Sequence, residues 1–188
     1  DANCFALSEA VDGAGAGAQS VFGVILGTGV GGGIAFDRRV VGGANRIAGE
    51  WGHNPLPWPR DDERPGPACY CGKSGCVETF LSGGGLARTY RALAGVDLGR
   101  VDMGGEAIAD AARQGEARAL ACLDLYGDRL ARALAVVVNI LDPEVVVLGG
   151  GVSNIEALYT GLPERVSAYA FSDGIDTRIV RAVHGDSS

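Results

Sequence analysis

The sequence has no surplus of basic charge, no long apolar run and no even set of cysteines. Lys and Arg total 16 against 23 Asp and Glu, a net charge of −7. Nucleic-acid binding needs a positive face to meet phosphates, and composition speaks against one here. No apolar run approaches the roughly 18 residues of a membrane-spanning helix, and no signal peptide is visible, so no membrane partner is expected. The five cysteines, Cys4, Cys69, Cys71, Cys76 and Cys122, are odd in number and three fall within eight residues. That is not a secreted disulfide framework; it reads as metal ligation plus two bystanders, Cys4 and Cys122, expected to be small buried hydrophobes. The expected location is the cytoplasm. The chain opens at Asp1 without Met and closes on His184-Gly185-Asp186-Ser187-Ser188, so a piece cut at both ends is expected.

Apolar residues make up 47% of the chain and charged residues 21%, enough apolar surface for a folded globular unit. Glycine is abundant: 31 of 188 residues, about twice the usual share. The glycines cluster between apolar segments, which marks tight turns and places where backbone approaches a ligand.

The coarse reading alternates helix and strand. A helix is expected over 1–11, with Asp1 as its N-cap, broken by Gly13 to Gly17. A buried strand over 21–26 runs through a glycine-rich turn into a second strand over 34–41. Five of the seven prolines lie between Pro55 and Pro67, an irregular stiffened loop. Helices are expected over 78–93, 105–113 and 116–140, the last with Leu130, Leu134, Val137 and Ile140 on one face and ended by Asp142-Pro143. Val145 to Leu148 reads as a central strand buried on both faces. Gly149-Gly150-Gly151 follows, and Ser153 with Glu156 makes a capping-box pattern for another helix. Strand, glycine turn and helix in that order bind nucleotides in α/β folds.

Four patterns carry chemistry. His53 with Cys69, Cys71 and Cys76 supplies the four tetrahedral ligands zinc prefers, in a segment of about 50–80. Gly72 and Gly75 let the closely spaced thiolates converge. Four protein ligands leave no open position, so the metal is expected to be structural. The second pattern is Gly27 to Gly33, five glycines in seven residues. It lacks the Lys of a Walker A loop and enters a strand rather than a helix. What remains is a hairpin whose N–H groups form a phosphate nest, with Thr28 adding a hydroxyl, or simply a flexible turn. The third is Gly149, Gly150 and Gly151 after the apolar run, either a bare backbone on which a flat adenine or ribose can lie or an ordinary turn after a packed strand. The fourth is Glu50 and Glu78, close in sequence to the metal ligands and so either pocket carboxylates or plain surface charge. Glu9 has no such context and is expected in solvent, and Glu156 is expected to be a cap.

Taken together, Asp1-Ala2-Asn3-Cys4, Gly27–Gly33, Gly49-Glu50-Trp51-Gly52-His53, Cys69–Glu78 and Val145–Ser153 resemble the ROK family of sugar kinases and related repressors, in the family's order and over essentially the whole chain. The Gly49–Trp58 and Cys69–Gly83 segments most resemble bacterial fructokinases, with N-acetylglucosamine kinases next. The resemblance implies an α/β, actin-like (ribonuclease H-like) fold, of which residues 1–188 are mainly the C-terminal, ATP-binding lobe. Sugar and ATP would lie in the cleft, with Mg²⁺ accompanying ATP, and a homodimer is usual for the family. By analogy Asp1 is the general base, and Glu50, His53 and Glu78 bind sugar hydroxyls, His53 using one ring nitrogen for zinc and the other for sugar. Gly27, Thr28 and Gly29 would meet the phosphates; Gly149, Gly150, Gly151 and Ser153 would meet the nucleoside. The family's first lobe, with its own phosphate loop, is missing, so this piece alone is not expected to catalyse. A repressor of the same family would need neither Asp1 nor the Gly-Thr-Gly turn. A plain zinc-stabilised binding module would leave the nucleotide-like turns unexplained.

Overall fold

The structure, a computed structural model, describes residues 1–94 and 103–184. It centres on a five-stranded sheet: β1 (Ser20–Leu26), β2 (Val30–Phe36), β3 (Arg39–Val40), β4 (Val145–Gly149) and β5 (Arg178–Arg181), in spatial order β3-β2-β1-β4-β5. β1 and β4 pair in parallel, as do β4 and β5, while β2 runs antiparallel to both its neighbours. A parallel pair needs a crossover, and the chain between β2 and β4 provides it in helices. These are α2 (Val77–Leu81), α3 (Gly83–Leu93), α4 (Gly105–Arg113) and α5 (Ala117–Leu141). α1 (Ala2–Val11) precedes the sheet and α6 (Leu162–Tyr169) lies between β4 and β5.

Strand alternation divides the core in two. Phe22, Val24 and Leu26 of β1, with Val146 and Leu148 of β4, pack under the large helical layer of α2 to α6. Val21, Val145 and Val147 point the other way, against Phe5 and Ala10 of α1. β4 is buried along its whole length, as its unbroken apolar run requires of a strand covered on both faces. Among the described residues, no helix is long and apolar enough to cross a membrane.

Several expectations are corrected. The second strand starts at Val30 rather than Ile34, so Gly31, Gly32 and Gly33 belong to β2 and not to the turn. Side chains are excluded there: a Cβ on Gly33 would strike the Ala2 backbone, and one on Gly32 would lie 2.7 Å from the Trp51 ring. The strand ends at a tight turn in which Asp37 and Arg38 both have positive φ, 48° and 58°, the backbone of a two-residue hairpin. Ser153 and Glu156 open no α-helix; they lie in short 3₁₀ turns, and α6 begins only after Gly161, with Pro163 in its first turn. The Ser153 hydroxyl donates backwards to the Gly150 carbonyl at 2.7 Å. Ile140 is 81% exposed, because the core-facing side of α5 ends on Val138 and the partly buried Leu141. Cys122 is buried as expected, but Cys4 is exposed.

Glu9 is the opposite of solvated. It is 0% exposed and its carboxylate accepts from the N–H groups of Ala14, Val183 and His184. A buried carboxylate persists where backbone donors replace its water. Here it ties the end of α1 to the segment after β5, and His184 adds a 2.7 Å contact with Asp12. The chain's last four residues lie outside the described residues.

Candidate active site

An open cleft of about 1170 Å³ runs along the ends of β1 and β4. Ligands collect at such strand ends in α/β sheets because the loops there are free to diverge. Its walls bring together Asp1, the Gly27–Gly29 turn, Glu50, His53, Glu78 and the Gly150–Gly151 turn, residues more than 100 positions apart in sequence.

At one end sits the ligand cluster of His53, Cys69, Cys71 and Cys76, whose four donor atoms all lie within 4.8 Å of one another. Tetrahedral coordination with metal–sulfur bonds of about 2.3 Å places two thiolates about 3.8 Å apart, and a thiolate and an imidazole nitrogen about 3.5 Å apart. Cys71 Sγ and Cys76 Sγ are 3.6 Å apart, and His53 Nδ1 is 3.5 Å from Cys69 Sγ. The cluster therefore fits a tetrahedral divalent ion. Backbone bonds shape it: the N–H groups of Cys69, Gly72 and Gly75 donate to the carbonyls of Lys73, Cys69 and Pro67. Gly72 and Gly75 have φ of 86° and 73°, which is why glycine is needed at both turns. Burial pushes the Cys76 thiol up to about 12, and the sulfurs of Cys71 and Cys69 add to it. A bound cation relieves that repulsion.

Only Nδ1 of His53 faces the sulfurs. Nε2 faces the cleft, where it meets the Tyr70 hydroxyl at 2.8 Å. Tyr70 was not singled out by sequence; its signal was its place between two ligand cysteines. The negative charge of Glu78, with Cys69 and Glu50 adding to it, raises the Tyr70 phenol above its ordinary pKa.

Asp1 occupies the N-cap position of α1, but its carboxylate makes no capping bond and is exposed. The side chain is thus free to serve the cleft. Glu78 accepts a 2.9 Å hydrogen bond from the Val30 N–H. That bond places one carboxylate against the Gly27–Gly29 turn, two residues after Cys76. Glu50 is exposed at the rim.

The Gly27–Gly29 turn is tied at two points: Gly27 N–H donates to the Gly29 carbonyl, and Gly83 N–H to the Gly27 carbonyl at 2.8 Å. Among the described residues, the Thr28 and Gly29 N–H groups meet no protein acceptor. Two free, adjacent donors at the tip of a rigid turn are what an anion requires. The triple glycine divides its duties. Gly149 is buried, where a Cβ would lie 2.6 Å from the Phe5 ring. Gly150 has φ of 83° and lies close under Leu26. Gly151 alone has open space around it. Gly150 and Gly151 line the cleft, whereas Gly149 and Ser153, expected to meet the nucleoside, are buried and do not line it. Sequence reasoning also missed Gly83, Gly84 and Gly105, the first residues of α3 and α4, which complete the wall. The run Gly83-Gly84-Gly85 was the available clue.

A family model described as the ROK family matches residues 1–188. The chain is 42% identical over 191 residues to the N-acetyl-D-glucosamine kinase of Photobacterium profundum, covering 100% of this chain and 61% of that protein. It superposes on the ROK hexokinase from Thermus thermophilus with a TM-score of 0.81 and 31% identity, over 96% of this chain and 57% of that one. A ROK family glucokinase from Streptomyces griseus, solved with glucose and AMPPNP, gives 0.79 and 29%, over 98% and 62%. The chain thus spans about three fifths of the length of the curated relatives it matches.

Proposed function

From the fact that this chain belongs to the ROK family, we propose that it is the larger part of a two-lobed, ATP-dependent sugar kinase, residues 1–188 being mainly its C-terminal, nucleotide-binding lobe. The observation that carries the reading is the shared cleft. Asp1, a carboxylate with no structural bond of its own, faces the same cavity as the free donors of Thr28 and Gly29.

Phosphoryl transfer asks a protein mainly for positioning and charge stabilisation. A sugar hydroxyl becomes a competent nucleophile when its proton can leave. Asp1 accepts that proton as the hydroxyl oxygen attacks the γ-phosphorus, and ADP departs with the bridging electrons. The Thr28 and Gly29 N–H groups stabilise the phosphate oxygens, and Mg²⁺ arrives with ATP. Glu50, Glu78 and His53 Nε2 hold the other hydroxyls of the sugar. Gly150 and Gly151 offer flat backbone to the nucleoside.

Zinc is the metal the donor set favours, held by His53, Cys69, Cys71 and Cys76. With all four positions filled by protein it fixes the imidazole and takes no part in the reaction. The relative at 42% identity makes N-acetylglucosamine the first substrate to test, ahead of fructose, which the Gly49–Trp58 segment suggested, and of other hexoses. A cytoplasmic homodimer is the working assembly.

The test is an ADP-release assay on the full-length protein with ATP, Mg²⁺ and a panel of hexoses. Turnover is expected with at least one, N-acetylglucosamine leading. No ADP release with any member of the panel would overturn the kinase reading.

A further inference from the structure

His53 faces two ways. Its Nδ1 lies 3.5 Å from Cys69 Sγ, and its Nε2 lies 2.8 Å from the Tyr70 hydroxyl. An imidazole that ligates a metal through Nδ1 carries its proton on Nε2, so Nε2 donates and Tyr70 accepts. The two rings meet edge to face, with centroids 5.0 Å apart at 88°.

The phenol has little else to hold it. Tyr70 is 83% exposed, and His53 is its hydrogen-bond partner among the described residues. Tyr126 shows the contrast: it is fully buried and its hydroxyl donates to the Leu81 carbonyl in the core. A tyrosine that anchors the fold looks like Tyr126. Tyr70 instead lines the cleft beside Asp1, Glu50 and Glu78. Its hydroxyl stands where a polyol hydroxyl would accept from His53.

Resting on the sugar-kinase reading, we propose that the Tyr70 phenol is a removable stand-in for a sugar hydroxyl, holding His53 Nε2 in the sugar-free cleft and giving it up when sugar binds. Sugar affinity is then set in part by the bond that must be broken first. The backbone of Tyr70 is pinned between two cysteine ligands, so only the side chain swings.

Tyr70→Phe keeps the ring and removes the hydroxyl. In the full-length, metal-loaded protein, calorimetry is expected to show hexose binding tightened about two- to tenfold, the worth of one neutral hydrogen bond. Metal content stays unchanged. The ¹⁵N resonance of His53 Nε2 is expected to move on substitution in the sugar-free protein and to coincide in the two sugar-bound proteins. Tyr70→Leu repeats the comparison without the ring and is expected to show a similar gain. Unchanged or weaker sugar binding in both variants overturns the proposal while leaving the kinase reading intact. Failure of the unaltered protein to bind any hexose overturns both.

Discussion

Glu63 and Arg132 form a two-pronged ion pair inside the protein, Nη1 to Oε2 and Nη2 to Oε1, each at 2.9 Å, with both side chains at most 2% exposed. Arg129 adds a 2.7 Å bond from its Nε. Arg132 also donates to the carbonyls of Pro57 and Trp58. The loop that carries Cys69, Cys71 and Cys76 is therefore fastened to α5 by buried charge. Its prolines limit the loop's freedom; this pair decides where it sits.

Burial alone would raise the Glu63 pKa. The hydrogen bonds from Arg132, Arg129 and the Arg60 N–H outweigh it and lower the pKa from 4.5 to about 2. A carboxyl depressed by folding contributes its full stability above the unfolded pKa and loses it as pH falls through the folded one. Stability worth about 3 kcal/mol should thus disappear between roughly pH 4.5 and pH 2. Glu63→Gln leaves the buried Arg129 without its carboxylate and Arg132 with Asp128 alone, at 3.1 Å, and should cost about 3 kcal/mol near neutral pH. Urea denaturation across the pH range checks both. A loss below about 1 kcal/mol would mean the pair is not what holds the loop.

Cys71→Ser should remove the metal. The other three donors remain, but an alcohol replaces a thiolate at a site shaped for sulfur. Structural zinc binding is worth roughly 10–16 kcal/mol and is coupled to local folding. Elemental analysis is expected to fall from about one zinc per chain to far below it. Hydrogen exchange should show faster opening of residues 54–76. Full zinc occupancy in the variant would remove Cys71 from the ligand set.

Asp1→Asn separates base from cap. Asn is as good a cap as Asp, and no side-chain cap bond exists here to lose. The full-length variant should fold and bind sugar and ATP nearly as before. Turnover should fall by at least about a hundredfold, because the amide cannot take the hydroxyl proton. Near-normal steady-state turnover would place the base elsewhere.

Gly151→Ala and Gly150→Ala test the proposed nucleotide contact. A Cβ on Gly151 meets nothing within 4 Å, so the fold should be unaffected. Nucleotide lying on that backbone would be displaced, and KM for ATP should rise severalfold with the thermal midpoint unchanged. At Gly150, with φ of 83° and Leu26 close by, the same substitution should lower the midpoint itself. An unchanged KM for Gly151→Ala would take the nucleotide off that turn.

The sequence by itself determined which His and Cys side chains come together, the strands β1 and β4 and the helices α4 and α5. Each is written in local spacing: three cysteines within eight residues, an unbroken apolar run for β4 running into Gly149-Gly150-Gly151, and apolar residues at helical intervals for α5. Which glycine serves ligand and which serves packing was not local. Gly33 is bare because α1 crosses it, Gly149 because Phe5 lies over it, and Gly151 because nothing does. Glu9 read as surface charge for the same reason, since the His184 N–H it accepts from lies 175 residues away. Tyr70 became visible only when its hydroxyl was found on His53. Spacing along a chain fixes which groups can converge on one ion. Which backbone or side chain then approaches from a distant element is set by how the sheet and helices pack, and that packing decided the rest of the site.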